Sequence, residues 1–262
     1  MLTAQAPAKI NLCLYVGLRR PDGYHPVCSL MEKVTFFDRL EVSEAPAGGI
    51  SVAGVDVPQE QNTVYRVARA LESETGQRLD VKIDVTKEIP AGAGLAGGSS
   101  DAAATMRLLV EMFNLEVPPE RLAHLAAGIG ADVPFFLTPG PPLATGAGER
   151  LEPVPRQLDY ALVIATPEQG VSTAEAYRRF DSLGAAADIS GLEEGLREQV
   201  RRLGSLEALA ALLHNDLEAA AVSLCADIVL LQKELLDAGA AGVLMSGSGS
   251  AVYGLFASDE DA

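Results

Sequence analysis

The sequence predicts an α+β protein of two domains, each a mixed or antiparallel sheet layered with helices. Three observations predict it. Stretches with the two-residue alternation of strands and stretches with the helical repeat occur in both halves of the chain, which argues against a doubly wound parallel sheet. Pro139-Gly-Pro-Pro142 is the sharpest punctuation in mid-chain. A strand near Leu151 closes the first domain and Tyr160 to Ala165 opens the second as a buried strand, giving domains 1–153 and 154–262. Finally, a glycine-rich stretch at residues 90–100 joins a strand-like run to a helix-like run.

Each element has its own signal. Ile10, Leu12, Leu14 and Val16 fall on one face of a first strand, with Lys9, Asn11 and Cys13 on the other. Arg20-Pro-Asp-Gly23 is a turn. Val34 to Val42 and Ile50 to Val55 read as strands separated by Ala45-Pro-Ala-Gly-Gly49. Asn62 suits the N-cap of a helix whose apolar face is Val64, Val67, Ala68 and Leu71. Leu79, Val81, Ile83 and Val85 alternate and deliver the chain into the glycine stretch. Ala102 to Phe113 is helical, and Leu122, Leu125, Ala126 and Ile129 mark a further helix ended by Gly128 and Gly130. In the second half Ser172-x-x-Glu175 and Ser190-x-x-Glu193 fit capping boxes. The Ala-rich piece Gly184 to Asp188 reads as a surface loop, and helices continue through Leu236. Gly242 to Met245 and Ala251 to Phe256 then form two strands around Ser246-Gly-Ser-Gly-Ser250.

Composition narrows the function. Apolar residues make up 48% of the 262, enough for a sizeable core, while the formal net charge is −16. Such an acidic chain offers no general surface for nucleic acid or for an anionic membrane. No apolar run approaches the roughly 20 residues of a membrane span, and the N-terminus lacks the basic start and apolar core of a secretory signal. Cys13, Cys28 and Cys225 are odd in number and widely spaced, which fits buried free thiols in a reducing cytoplasm.

The stretch Pro90-Ala91-Gly92-Ala93-Gly94-Leu95-Ala96-Gly97-Gly98-Ser99-Ser100 carries the chemistry. Its glycines leave a backbone with little side-chain bulk, and Ser99, Ser100 and Asp101 open a helix. A helix N-terminus offers unpaired N–H groups and the positive end of the dipole, which is a site for a phosphate. It is not a Walker loop, because it holds no lysine. Gly92-x-Gly94-x-x-Gly97 matches the dinucleotide fingerprint by count, but no acidic ribose ligand follows in a clean second strand, which disfavours an oxidoreductase.

The loop resembles the phosphate-binding motif of the GHMP kinases, approximately Pro-x-x-x-Gly-Leu-Gly-Ser-Ser-x-Ala. Ala6-Pro-Ala-Lys-Ile-Asn-Leu12, Arg20-Pro-Asp-Gly-Tyr-His25, Gly130-Ala-Asp-Val-Pro134 and Ser246-Gly-Ser-Gly-Ser250 resemble further motifs of that family, in the family's order. Gly97 to Ala103 is most similar to the members that act on a cytidine-diphosphate-linked methylerythritol; one departure is Ala96, where those members carry glycine. If position 96 needs positive φ, alanine is strained there. The family pattern continues for another helix and strand beyond the last motif, and the present sequence ends at Ala262.

The resemblance implies a two-domain GHMP-kinase-like fold, an N-terminal ATP-binding domain and a ferredoxin-like C-terminal domain with the active site in the cleft between them. It implies an ATP- and Mg2+-dependent kinase phosphorylating the 2-hydroxyl of that substrate in non-mevalonate isoprenoid biosynthesis. Partners would be the small molecule alone, with no nucleic acid or membrane, in a cytoplasmic monomer or weak homodimer. Residues 90–100 would bind ATP, with Ser99 or Ser100 offering a hydroxyl to the metal.

Asp132 alone reads as a turn or helix-end aspartate; the resemblance makes it the base that accepts the substrate's proton. Lys9 alone reads as an exposed lysine; the resemblance makes it the electrostatic partner of Asp132. Tyr24 and His25 follow a turn, so both are expected at the surface, and the resemblance has Tyr24 stack on the cytosine while His25 hydrogen-bonds its edge. Tyr177 is either a half-buried helix residue or a second aromatic on the base. Asn11 and Thr173 are substrate contacts by position. His124 and His214 lie on helix-like faces and read as structural; Asn215-Asp216-Leu217 resembles a family signature, but its acidic and amide residues on an Ala/Leu helix read as a solvated face. Other readings are a kinase for another small alcohol, a decarboxylase of the mevalonate type, or a non-catalytic nucleotide-binding regulator. A Tyr-His pair for a base disfavours the first two, and retention of both Lys9 and Asp132 the last.

Overall fold

The computed structural model describes residues 1–45, 48–154 and 158–262. In chain order the elements are β1 (Leu2–Val16), β2 (Val27–Glu44), β3 (Ile50–Ala53), α1 (Thr63–Thr75), β4 (Val81–Thr86), α2 (Gly97–Met112), α3 (Pro119–Ile129) and α4 (Val133–Leu137). They continue with β5 (Pro142–Thr145), β6 (Arg150–Pro153), β7 (Ala161–Ala165), α5 (Thr173–Leu183), α6 (Leu192–Arg201), α7 (Leu206–Ala210), β8 (His214–Asn215), α8 (Glu218–Leu224), α9 (Asp227–Asp237), β9 (Gly242–Met245) and β10 (Val252–Phe256). The fold class is the expected mixture of sheets and helices. Positions 46 and 47 of the expected separator between β2 and β3 lie outside the described residues.

The chain folds as two compact units that interleave along the sequence. One comprises Met1–Ala8, Lys33–Ala91 and Ala96–Thr138; the other comprises Lys9–Glu32, Gly92–Leu95 and Pro139–Ala262. In the first unit β4 pairs antiparallel with β2, Leu40 opposite Val85 and Val42 opposite Ile83, and parallel with β3. Leu40, Val42, Val81, Ile83 and Val85 are buried, so the alternation that marks these strands in the sequence faces a core. Helix α1 supplies Val64, Val67, Ala68 and Leu71 to burial, and Asn62 caps it by accepting the Val64 amide at 3.0 Å. Helix α2 is buried along most of its length, from Ala102 to Leu109 with only Arg107 exposed.

In the second unit β8 pairs parallel with β1 at Cys13 and Leu14, and β5 pairs antiparallel with β2 and with β6. A separate antiparallel sheet has the order β7-β10-β9. Its core joins Leu14, Val171, Phe180, Leu217, Ile228, Met245, Val252 and Phe256. Tyr253 is fully buried and donates its hydroxyl proton to the Asn11 carbonyl at 2.9 Å. Cys13, Cys28 and Cys225 are buried free thiols, and burial pushes Cys13 up to about 12 and Cys28 up to about 11.

Several boundaries differ from expectation. The Val34 to Val42 strand lies inside the longer β2, and α2 begins five residues before Ala102. Gly128 does not end α3 but lies within it; Gly130 is its C-cap. Ser172 caps α5 through the Glu175 amide as the box predicts, whereas Ser190 caps nothing. Helix α6 starts instead from Gly191 at φ +78, while the Ser190 amide donates to Asp188. His214 and Asn215 form a short strand rather than a helix face. Among the described residues no helix is long and apolar enough to cross a membrane.

Candidate active site

The site residues fall into both units. In the second unit Lys9 sits on β1 with 4% of its surface exposed, so the surface reading does not hold. Its ammonium donates to Asn11 Oδ1 at 2.5 Å, two residues along the same strand face. Asn11 Nδ2 donates to Ser29 Oγ at 2.8 Å, and Ser29 Oγ donates to the Cys13 carbonyl at 2.7 Å. The amide Oδ1 is therefore oriented toward the ammonium by a buried chain of bonds. Asn11, expected as a substrate contact, is engaged by Lys9 and Ser29.

Residues 92–95 are anchored in this same unit. Ala251 N donates to Ala93 O at 3.0 Å, Ser246 Oγ to Gly94 O at 3.1 Å, and Lys9 N to Leu95 O at 3.0 Å. A Cβ on Gly247 would lie 2.9 Å from Lys9 Nζ and 3.1 Å from Gly94 O. The ammonium thus rests against the main chain of the 246–250 loop, which packs on residues 93 and 94 of the glycine stretch. Asn215, missed in sequence, is buried and donates to the carbonyls of Met245 and Gly247, both at 2.8 Å, and Asp216 accepts the Val16 amide at 2.7 Å. The pairing of β8 with β1 brings them there; the one sequence signal is the resemblance of Asn215-Asp216-Leu217 to a family signature. Thr173 Oγ1 meets Ser248 Oγ at 2.8 Å.

The aromatic pair also lies in the second unit and splits. Tyr24 is 66% exposed, as expected. His25 is not at the surface: it is 7% exposed, with Nδ1 on the Gly17 carbonyl at 2.8 Å and Nε2 on Asp181 Oδ1 at 3.1 Å. Its ring packs against Tyr177 at 5.4 Å and edge-on to Phe180 at 5.9 Å. Tyr177 is half-buried on α5. The turn before His25 sent one side chain out; Asp181, distant in sequence, drew the other in.

In the first unit Ala96 ends the loop in the left-handed conformation, φ 56 and ψ 32, so the strain foreseen at this alanine is present. Ser99 and Ser100 donate their amides back to Ala96 O, and the first-turn amides of Gly97 and Gly98 precede any intrahelical bond. The Ser100 hydroxyl is buried and has no hydrogen-bond partner among the described residues, while Ser99 is half-exposed. Ser99 Oγ lies near Gly130: a Cβ there would be 3.7 Å from it. The helix that opens at the phosphate loop thus neighbours the Gly130 to Pro134 segment.

Asp132 stands at the N-cap of α4, half-exposed, yet its side chain makes no capping hydrogen bond. The turn-forming role that its position suggests is therefore not used. The far end of α4 is held by two cations. Lys33 Nζ donates to Phe136 O at 3.3 Å and Thr138 O at 2.6 Å, and Arg107 to Phe136 O at 3.2 Å. Burial lowers both pKa values, and for Lys33 the Arg107 charge adds to it.

The chain carries a glycine-rich helix start, a buried lysine and an aspartate that makes no capping bond, and it belongs to the GHMP kinase family. The family model of the GHMP kinases N terminal domain matches residues 62–140 and that of the GHMP kinases C terminal domain matches residues 175–262. The chain is 43% identical to the 4-diphosphocytidyl-2-C-methyl-D-erythritol kinase of Desulfitobacterium hafniense, over 98% of this chain and 88% of that one. It is 43% identical to the enzyme of the same name from Pelotomaculum thermopropionicum, over 100% and 91%. Among solved structures, a 4-(cytidine 5'-diphospho)-2C-methyl-D-erythritol kinase superposes with a TM-score of 0.83 at 35% identity, covering 100% of this chain and 92% of that one. A homoserine kinase from Cytophaga hutchinsonii, at 20% identity and a TM-score of 0.74 over 99% and 86%, shares the fold.

Proposed function

We propose that this chain transfers the γ-phosphoryl group of ATP to the 2-hydroxyl of 4-(cytidine 5'-diphospho)-2-C-methyl-D-erythritol, as a cytoplasmic enzyme of non-mevalonate isoprenoid biosynthesis. The observation that carries the chemical part is Lys9. A buried ammonium is costly unless its surroundings are arranged for it, and here Asn11 and Ser29 are spent on aiming it. The near-full-length identity to kinases of this name supports the choice of substrate.

The assigned roles follow the chemistry of phosphoryl transfer, which needs placement and charge neutralisation more than covalent catalysis. The first amides of α2 and the backbone of residues 92–98 bind the nucleotide's phosphates. Mg2+ fits the half-exposed Ser99 hydroxyl better than the enclosed Ser100, and when bound it neutralises phosphate charge that the lysine-free loop does not. Asp132 takes the proton from the substrate hydroxyl, its carboxylate being free of capping duty. Lys9 stabilises the negative charge that develops on the attacking oxygen. The exposed ring of Tyr24 stacks on the cytosine. His25 has both ring nitrogens engaged, so its part is to fix the turn that presents Tyr24 and the face of Tyr177.

The test is ADP release with Mg2+ and ATP, comparing the cytidine-linked methylerythritol with galactose, homoserine and mevalonate. Turnover on the first alone is expected, with Lys9→Ala and Asp132→Asn each losing about a hundredfold or more. Turnover on a base-free alcohol alone would overturn the substrate, and near-normal turnover by both variants would overturn the two roles.

A further inference from the structure

Helix α2 begins without the device that usually fixes a helix start. Its N-cap is Ala96, which has no side-chain oxygen to offer, and it sits in a strained left-handed conformation. Something else must hold the first turn in place. Three side chains of the first unit, Asp38, Lys87 and Asp101, link the residues before Pro90 to the first turns of the helix.

Asp38 on β2 is completely buried. Its Oδ1 accepts the amides of Glu88 at 2.7 Å and Ile89 at 2.9 Å, the last residues before Pro90. Its Oδ2 accepts from the Lys87 ammonium, which also donates to Asp101 Oδ2 at 2.7 Å. Asp101 lies in the first turns of α2, beside Ser99 and Ser100. Its other oxygen, Oδ1, is buried with no hydrogen-bond partner among the described residues, and the carboxyl group also faces that of Asp38 directly. One carboxylate thus grips the segment that follows β4 into the loop, one marks the helix that leaves it, and a single ammonium ties them together. Gly97 completes the fit: a Cβ there would stand 3.2 Å from Asp38 Oδ2 and 3.0 Å from the Ile89 side chain. Thr63 adds a lighter hold by donating its hydroxyl to Gly98 O at 2.7 Å.

We propose that Asp38, Lys87 and Asp101 form a clamp that closes the base of the 90–98 loop and sets its aim, so that all three are positioning residues for the phosphoryl donor. The inference rests on the nucleotide reading of that loop. None of the three is assigned to touch the reacting atoms; they act by fixing the two ends between which the glycine backbone is strung. Two buried carboxyl groups bridged by one half-buried ammonium fail abruptly when the ammonium is removed, because they are left uncompensated.

The experiment uses the full chain and two readouts. Steady-state kinetics of Lys87→Met, with ATP and acceptor varied separately, is expected to show the KM for ATP raised about tenfold or more while that for the acceptor moves less than about twofold. Hydrogen exchange of peptides covering residues 90–98 is expected to quicken in the same variant without added ligand. Lys87→Arg, which keeps the charge and can reach both carboxylates, is expected to recover most of the ATP affinity. Should Lys87→Met fail to fold, Asp101→Asn carries the same expectations. Unchanged exchange in the loop, or equal increases in both KM values, would overturn the clamp. So would faster exchange with an unchanged KM for ATP. A parent chain without turnover would instead overturn the kinase reading, and the exchange comparison would still decide the clamp.

Discussion

Two glycine-rich loops, residues 90–98 and residues 246–250, use their glycines for opposite ends. In the first, Gly92 has φ +68, and a Cβ added there would meet nothing within 4 Å. In the second, Gly247 has φ +58, and an added Cβ would lie 2.9 Å from Lys9 Nζ. Gly94 joins the two: its Cβ would collide with Ser246 O at 2.1 Å. Glycine at 92 keeps backbone open for something to arrive. Glycine at 94 and 247 lets two main chains and an ammonium come closer than any side chain permits. Composition alone reports neither use, and what distinguishes them is what lies beyond the missing Cβ.

The contrast predicts unequal costs for equal substitutions. Gly247→Ala is expected to have the largest effect. The atom in the way is the end of a flexible side chain, so the fold can survive, but only if the Lys9 ammonium moves off Asn11. Turnover should fall about a hundredfold, with stability lowered by about 1–2 kcal/mol for the left-handed backbone. ADP-release kinetics beside a melting curve separates the two. Turnover unchanged in a folded Gly247→Ala would break the distinction between the loops.

Gly92→Ala should cost far less. The backbone penalty is the same in kind, about 1–2 kcal/mol, which for a chain of this size lowers the melting temperature by a few degrees. With no protein neighbour to displace, kcat should fall far less than in Gly247→Ala, and the added Cβ should act mainly by raising the KM for ATP, whose phosphates that backbone is proposed to bind. A hundredfold loss here would mean that the space beside Gly92 is not open in the working protein.

Much of this was legible in the sequence wherever the determinants are local. Asn62 and the apolar face of α1 were readable because a cap and its helix lie within one short stretch. The same holds for the alternation of β4, and for the opening of a helix at the end of the glycine stretch, whose glycines and serines lie within nine residues. What escaped depends on residues far apart in the chain. His25 is buried because Asp181, on α5, meets its ring. Asn215 and Asp216 read as a solvated helix face because a two-residue strand has no periodicity of its own; pairing with Cys13 and Leu14 makes His214 and Asn215 a strand. Ser190 carried the right spacing for a cap, but Gly191 turns left-handed and starts the helix one residue later. The clamp beneath the phosphate loop joins Asp38 to Lys87 across 49 positions, and neither is unusual in its own neighbourhood.

Ala96 offers the finest test of the comparison, because it is the one place where the first loop uses a left-handed residue without using glycine. Two terms oppose each other in Ala96→Gly. Removing Cβ relieves a penalty of about 1–2 kcal/mol in the folded chain, and glycine serves better than alanine at an N-cap. Against this, glycine adds about 0.4–1 kcal/mol of backbone freedom to the unfolded chain. The folded-state term is the larger, so a gain of up to about 1 kcal/mol is expected, read as a rise of about 1–3 °C in the melting temperature. The sign is informative. A lower melting temperature would mean that alanine is not strained at 96, and that the loop leaves for α2 by a backbone path other than φ 56 and ψ 32.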